Sequence, residues 1–270
     1  MRTLAHLSDL HFGRIDAAVV AELGATLRTL APDLVVISGD LTQRARPAQF
    51  RDAAAFIAGL GCPVLAVPGN HDVPLHNPFA RFLWPFRHYR QHLGPTLEPE
   101  HADAEWLVLG LNSARSLTVS GGRLSAGQVH RAVARLRTAA PGQVRILVTH
   151  HPFDCPSGRA APAMLIGRGD AAFPQLVDDG GVDVFLAGHL HRTAHGFAGS
   201  RHSARRSALL VQAGTATSTR TRDEGNGFNW LRIEHGHIEV EHLEHRDGAF
   251  APVLTRRFRR TPAGWVTAAD

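Results

Sequence analysis

Ala66–Val73 read AVPGNHDV. An apolar run ends in a Pro-Gly break, followed by Asn70, His71 and Asp72, three adjacent side chains able to bind a metal, carry a proton or hold either in place. The same pattern recurs along the chain. TLAHLS leads to Asp9 and His11, LVVIS to Gly39-Asp40, ILVT to His150, and VFLA to Gly188-His189-Leu190-His191. If these runs are neighbouring strands, all of those side chains gather at one carboxyl edge, where open α/β sheets place their ligands. The stretches between them read as helices. Val19, Val20, Leu23, Leu27 and Leu30 share one face, Pro47 to Leu60 forms a second helix, and a capping box from Ser125 to Gln128 opens a third carrying Val129, Val133 and Leu136. A fourth is expected near Asp170 to Asp179. This βα alternation gives way to strands, ALLVQA, FNWLRIE and HIEVEHL, the last two forming a hairpin at His235-Gly236. The class is α/β grading into α+β.

The chain has 270 residues, of which 44% are hydrophobic and 20% charged, enough for a sizeable core in one large domain or two small ones. No apolar run is long enough for a bilayer, and MRTLAHLSDLHFG lacks a leader pattern, so a cytoplasmic location is expected. Cys62 and Cys155 make no disulfide framework and read as bland, partly buried thiols. The net charge of +5 favours anionic partners, but every one of the 29 basic residues is Arg, a bias that weakens the argument. The clusters Arg201, Arg205, Arg206 and Arg256, Arg257, Arg259, Arg260 read as solvated surface, and no stable nucleic-acid partner is expected.

Excluding His71, the strand ends offer two carboxylates, one amide oxygen and four imidazoles. Without thiolate, such a set suits borderline divalent ions. It is too large for one tetrahedral ion and fits two ions sharing a carboxylate, which would attract an anion such as a phosphate ester. In these residues the chain resembles the calcineurin-like metallophosphoesterases, whose D-x-H, G-D, G-N-H-[DE], H and G-H-x-H blocks stand in order as SDLH, SGDL, GNHD, THHP and GHLH. The resemblance implies a single-domain, four-layer α-β-β-α sandwich. It implies Asp9, His11 and His191 on one metal, Asn70, His150 and His189 on the other, and Asp40 bridging, with two divalent ions drawn from Mn, Fe, Zn and Co. By the same analogy a hydroxide shared by the ions attacks phosphorus in line, His71 gives a proton to the leaving oxygen, and Asp72 orients the His71 ring.

GDLTQRA lacks the second Asp of the protein serine/threonine phosphatases, and GNHD differs from the G-N-R-D of the lipid A pathway enzymes. SDLHFG, SGDLTQ, PGNHD and THHP most resemble the class III bacterial cyclic-nucleotide phosphodiesterases, which implies 3′,5′-cyclic AMP or a related diester as substrate. Two alternatives stand beside it: a phosphoesterase acting on a lipid-linked or glycerol phosphoester at a membrane, and a nucleotide-binding regulator without turnover. Residues 1–250 are expected to form the domain and 251–270 a basic C-terminal extension. Within 74–105, Phe79, Phe82, Leu83, Phe86 and Leu93 recur at helical spacing interrupted by Pro85. The plain reading is a broken helix packed on the domain; a lid, a membrane-facing surface or a homodimer contact is the alternative. His151, Asn112, Ser113 and Arg14 are candidate supporting residues, His6 and His195 are structural, and His235, His237, His242 and His245 are surface imidazoles.

Overall fold

The computed structural model describes residues 1–158, 160–199, 202–219 and 224–268. Among these the strands are, in chain order, β1 Arg2–Leu7, β2 Leu34–Ile37, β3 Val64–Ala66, β4 Glu100–Ala102, β5 Trp106–Gly110, β6 Gly122–Arg123, β7 Val144–Val148, β8 Ile166–Gly167, β9 Val184–Ala187, β10 Ala194–Phe197, β11 Leu209–Gln212, β12 Gly227–Glu234, β13 His237–Arg246, β14 Ala249–Thr261 and β15 Gly264–Thr267. The helices are α1 Ala17–Leu30, α2 Pro47–Ala58, α3 Pro78–Leu83, α4 Arg87–Leu93, α5 Ala126–Leu136 and α6 Gly169–Pro174. One sheet runs β15-β14-β13-β12-β1-β2-β3, the other β10-β11-β9-β7-β5-β4, and β6 pairs with β8.

β1 and β2 in one sheet and β7 and β9 in the other pair in parallel and carry apolar residues on both faces, as strands covered on both sides must. Leu4, Val36, Val108, Ile146, Val184 and Val240 fill the space between the two sheets. On the outer face of the first sheet, Ala5, Leu7 and Val35 meet Leu23 and Leu27 of α1 and Phe50 of α2. On the outer face of the second, Leu107, Leu147 and Phe185 meet Val129 and Leu136 of α5 and Phe173 of α6. These three apolar layers make the expected α-β-β-α sandwich. Asp16 caps α1 by accepting from Ala18 N at 2.9 Å, and the Ser125–Gln128 capping box of α5 forms as read. The helix expected near 170–179 is split: α6 continues as a π-helical turn over Gln175–Asp179.

Three expectations are corrected. Residues 251–268 are not an appended basic tail, because β14 and β15 complete the large sheet and seat Phe258 and Trp265 in the inter-sheet layer. β14 buries only Phe258, so its sequence carries no period-two signal. The arginines there and before it are partly committed to acids: Arg257 bonds Glu239 at 2.7 Å, and Arg260 reaches buried Asp183 at 3.1 Å. Arg201 lies outside the described residues. The 74–105 segment does break at Pro85, but the apolar stripe divides. Phe86, Tyr89 and Leu93 pack inward, with Tyr89 Oη donating to Ala66 O at 2.7 Å, while Phe79, Phe82 and Leu83 face out. His242 is buried, with Nε2 3.3 Å from Thr193 Oγ1, because it continues the inward-facing alternation of Ile238 and Val240 along β13.

Candidate metal centre

All seven expected ligands come from loops leaving the carboxyl ends of β1, β2, β3, β7 and β9, and they converge. His191 Nε2 lies 3.2 Å from both Asp9 Oδ1 and His11 Nε2. His150 Nε2 lies 3.0 Å from Asn70 Oδ1, 3.2 Å from His189 Nδ1 and 3.3 Å from Asp40 Oδ2. Asp40 Oδ2 is also 3.9 Å from His11 Nε2, which puts this one oxygen between the two groups.

The convergence carries backbone strain. Asp9, His11, Asp40, His189 and His191 all have φ between 51° and 71°, the left-handed region that residues other than glycine seldom adopt. The loops hold them there by cross-links. Asp9 Oδ2 accepts from Ser8 Oγ at 2.6 Å and from His189 N at 2.9 Å, while Thr215 Oγ1 and Thr217 Oγ1 donate to the carbonyls of Asp9 and Leu10 at 2.7 Å. Close approach explains the glycine before Asn70: a Cβ on Gly69 would lie 2.1 Å from Asp40 Oδ1.

The donor set fits divalent ions. Asp9 and Asp40 are at most 1% exposed, and buried carboxylates demand compensating positive charge. Burial by itself would raise both carboxyls, yet the charges of His191 on Asp9 and of His150 on Asp40 hold them well below the carboxylate range. Burial would lower His150, but the Asp40 charge and hydrogen bond lift it to about 9, whereas burial and the charge of His150 push His189 down to about 4. A bound cation would supply the same compensation without protonating any imidazole. Asp9 Oδ1 is buried with no hydrogen bond, facing two imidazole nitrogens. His150 Nδ1 donates to Ser38 O at 2.8 Å, which leaves the Nε2 lone pair pointing at the cluster, as metal-binding imidazoles require.

His71 and Asp72 sit beside this cluster in different roles. His71 Nδ1 is 3.0 Å from Gln43 O, and a carbonyl only accepts, so Nδ1 carries the hydrogen and a transferable proton belongs on Nε2. The backbone N–H of His71 donates to Asp40 Oδ1 at 2.8 Å. The residue that orients the ring is thus Gln43, not Asp72 as expected. The Asp72 carboxylate instead accepts from Leu41 N at 3.1 Å, Thr42 N at 2.8 Å, Thr42 Oγ1 at 2.9 Å and Gly69 N at 2.9 Å, tying the loop after β2 to the loop after β3. Burial and the nearby Asp40 charge raise it to about 6.

Among the other candidates, Ser113 Oγ lies 2.9 Å from His151 Nδ1 and steadies that ring, whereas Asn112 Oδ1 caps its own loop through Ala114 N at 2.9 Å. His151 packs on His150 and His189, and burial keeps it well below the histidine range. Arg14 is exposed and does not line the pocket. His6 and His195 are structural as read. They lie between the sheets, His6 Nε2 2.9 Å from Ser38 Oγ and His195 Nε2 2.9 Å from Asn229 Oδ1. Sequence reading missed Arg81, which is 7% exposed and donates to Ser116 O and Thr118 O at 2.7 Å and to Pro74 O at 3.1 Å. Its only signal was an Arg inside an apolar helical stripe. A cavity of about 200 Å³ opens over the cluster, lined by Asp40, Asn70, His71, His189 and His191 with Gln43, Arg44, Leu75, Arg81 and Val119.

The profile of the calcineurin-like phosphoesterase family matches residues 2–193. The chain is 30% identical over 252 residues to a cAMP/cGMP dual specificity phosphodiesterase of Mycobacterium tuberculosis, covering 85% of this chain and 75% of that protein. It is 26% identical over 199 residues to a probable cyclic nucleotide phosphodiesterase of Synechococcus sp., covering 70% of this chain and 73% of the relative. In fold it resembles a dimetal phosphatase from Danio rerio with a TM-score of 0.66 at 14% identity, covering 95% of this chain and 98% of the other.

Proposed function

The chain belongs to the calcineurin-like phosphoesterase family, whose members are metal-dependent phosphoester hydrolases, and on that premise we propose that it hydrolyses a small phosphodiester, a cyclic nucleotide foremost. The observation that carries this reading is Asp40 Oδ2, placed within 3.9 Å of His11 on one side and 3.3 Å of His150 on the other. Asp9, His11 and His191 would hold one divalent ion, Asn70, His150 and His189 the second, with Asp40 shared. Two such ions, when bound, acidify a water and neutralise phosphoryl charge. The chain's own contribution beside them is His71. With Nδ1 on the Gln43 carbonyl, the ring presents the Nε2 proton to the leaving oxygen of a diester whose phosphate sits over the ligands. The cavity of about 200 Å³ is smaller than the ~300–1,000 Å³ of sites that enclose a drug-sized ligand, so a bound nucleotide leaves its base at the mouth beside Leu75 and Val119.

The two named phosphodiesterase relatives support the cyclic-nucleotide choice. The test is to load the protein with Mn, Fe, Zn and Co in turn and compare 3′,5′-cyclic AMP, 2′,3′-cyclic nucleotides, glycerophosphodiesters and bis-nitrophenyl phosphate, with Asn70→Ala as the ligand control. His71→Ala is expected to keep both ions and lose roughly 10²–10⁴ in rate on alkyl diesters, with a smaller loss on nitrophenyl esters. Absence of turnover under every metal overturns the enzyme reading; unchanged alkyl diester turnover by His71→Ala overturns the proton-donor role.

A further inference from the structure

Eleven large apolar side chains stand exposed on the described surface, and seven of them fall within residues 75–84 and 117–119. These two segments meet at the mouth of the metal pocket, where Leu75, Arg81 and Val119 form part of the lining. The buried Arg81 guanidinium joins them through its bonds to Pro74, Ser116 and Thr118. Opposite Arg81, Phe79, Phe82 and Leu83 share the outer face of α3 at i, i+3 and i+4 spacing, 77%, 57% and 60% exposed, and Trp84 follows at 57%. Scattered surface hydrophobics are ordinary, but a collar gathered round one opening marks an interaction surface.

The charge of the collar selects its partner. Residues 73–97 carry three arginines and no Asp or Glu, and residues 113–125 carry two arginines and no Asp or Glu. Arg87, Arg90 and Arg123 are exposed and have no ion-pair partner among the described residues. An isologous contact with a second copy would face these arginines against their own equivalents with no carboxylate in either segment to pair with them. An anionic bilayer answers both halves of the surface: headgroup phosphate for the arginines, and the boundary with the acyl chains for Phe and Trp. No helix among the described residues is long and apolar enough to cross a membrane, so the contact is one of lying on the surface.

We propose that this collar docks the protein reversibly on an anionic lipid surface with the metal pocket turned toward it. One consequence rests on the function proposed above: docking covers the mouth, so anionic vesicles slow turnover of a soluble diester.

The test is co-sedimentation of the metal-loaded 270-residue chain with phosphatidylglycerol vesicles and, separately, phosphatidylcholine vesicles. Binding is expected on the anionic vesicles, at least about tenfold weaker on the zwitterionic ones, and weakened by added salt. Phe82→Ser combined with Trp84→Ser lowers the partition constant by at least about tenfold, and Arg87→Gln combined with Arg90→Gln also weakens it. Because Phe82 and Trp84 are exposed and outside the pocket lining, the double variant keeps its melting temperature. No binding to phosphatidylglycerol, or equal binding by the Phe82/Trp84 double variant, overturns the proposal. So does a dimer in sedimentation velocity that the same variant abolishes, since the occupant is then a second copy. Sedimentation reads docking whether or not any diester is turned over, so failure of the enzyme reading would leave the docking result standing.

Discussion

Asp72→Asn separates two accounts of one residue. If Asp72 acted on the His71 ring, the substitution would leave folding and metal content alone and change only rate and its pH profile. The structure assigns it to loop anchoring, with each carboxylate oxygen taking two donors: Thr42 N and Thr42 Oγ1 on Oδ1, Leu41 N and Gly69 N on Oδ2. An Asn of the same shape keeps one oxygen and turns an NH₂ toward the other pair. Two donors at a site 1% exposed then lose their acceptor, at about 1–3 kcal/mol each. Relief of the repulsion from Asp40 returns part of that, so a net loss of about 1–5 kcal/mol is expected. For a chain of this length, about 2–4 °C per kcal/mol makes the fall in melting temperature roughly 2–20 °C. The assay is thermal unfolding by circular dichroism on protein stripped of metal, followed by metal content after reloading. Gly69 precedes Asn70 and Leu41 follows Asp40, so a loosened Asp72 also weakens metal retention. A variant melting within about 2 °C of the parent and holding full metal, yet slower on alkyl diesters, would refute the anchoring argument.

Two further outcomes follow from the geometry. In Gly188→Ala the new Cβ falls 1.7 Å from Ser8 Oγ and 2.7 Å from Asp9 Oδ2, so the Asp9 loop must move; metal content after dialysis should drop while the fold persists with a loss of about 1–3 kcal/mol. Burial holds His6 down to about 3 and His195 to about 4, against 6.5 for a free imidazole. The unfolded chain therefore binds more protons as pH falls through this window; the stability due to their neutral burial is complete above 6.5 and is lost on the way down to about 4 for His195 and about 3 for His6. His195→Gln can keep the contact with Asn229 and should flatten that acid slope by up to about 1.4 kcal/mol per pH unit in urea unfolding at several pH values, whereas an unchanged slope contradicts the burial account.

That these side chains gather in one cluster was legible in the sequence because each lies within a few residues of a strand's carboxyl end, where local pattern and chemistry coincide. The same holds for the α5 capping box and for the hairpin at His235-Gly236, both short-range devices. Asp72 was misread because its neighbour in the chain is His71, while three of its four hydrogen bonds come from Leu41 and Thr42, 30–31 residues away on another loop. β14 and β15 were missed because a strand that buries one residue carries no periodic signal, because β15 is four residues long, and because pairing is decided by what is already in the sheet. The left-handed backbone at five residues of the cluster and the Arg81 junction behind the collar likewise exist only once distant segments press together. Residue order settles the chemistry on offer, since the residue types at the strand ends admit few other uses. Which group holds which is settled in three dimensions, because hydrogen bonds and packing across tens of residues depend on distances that no one-dimensional pattern records.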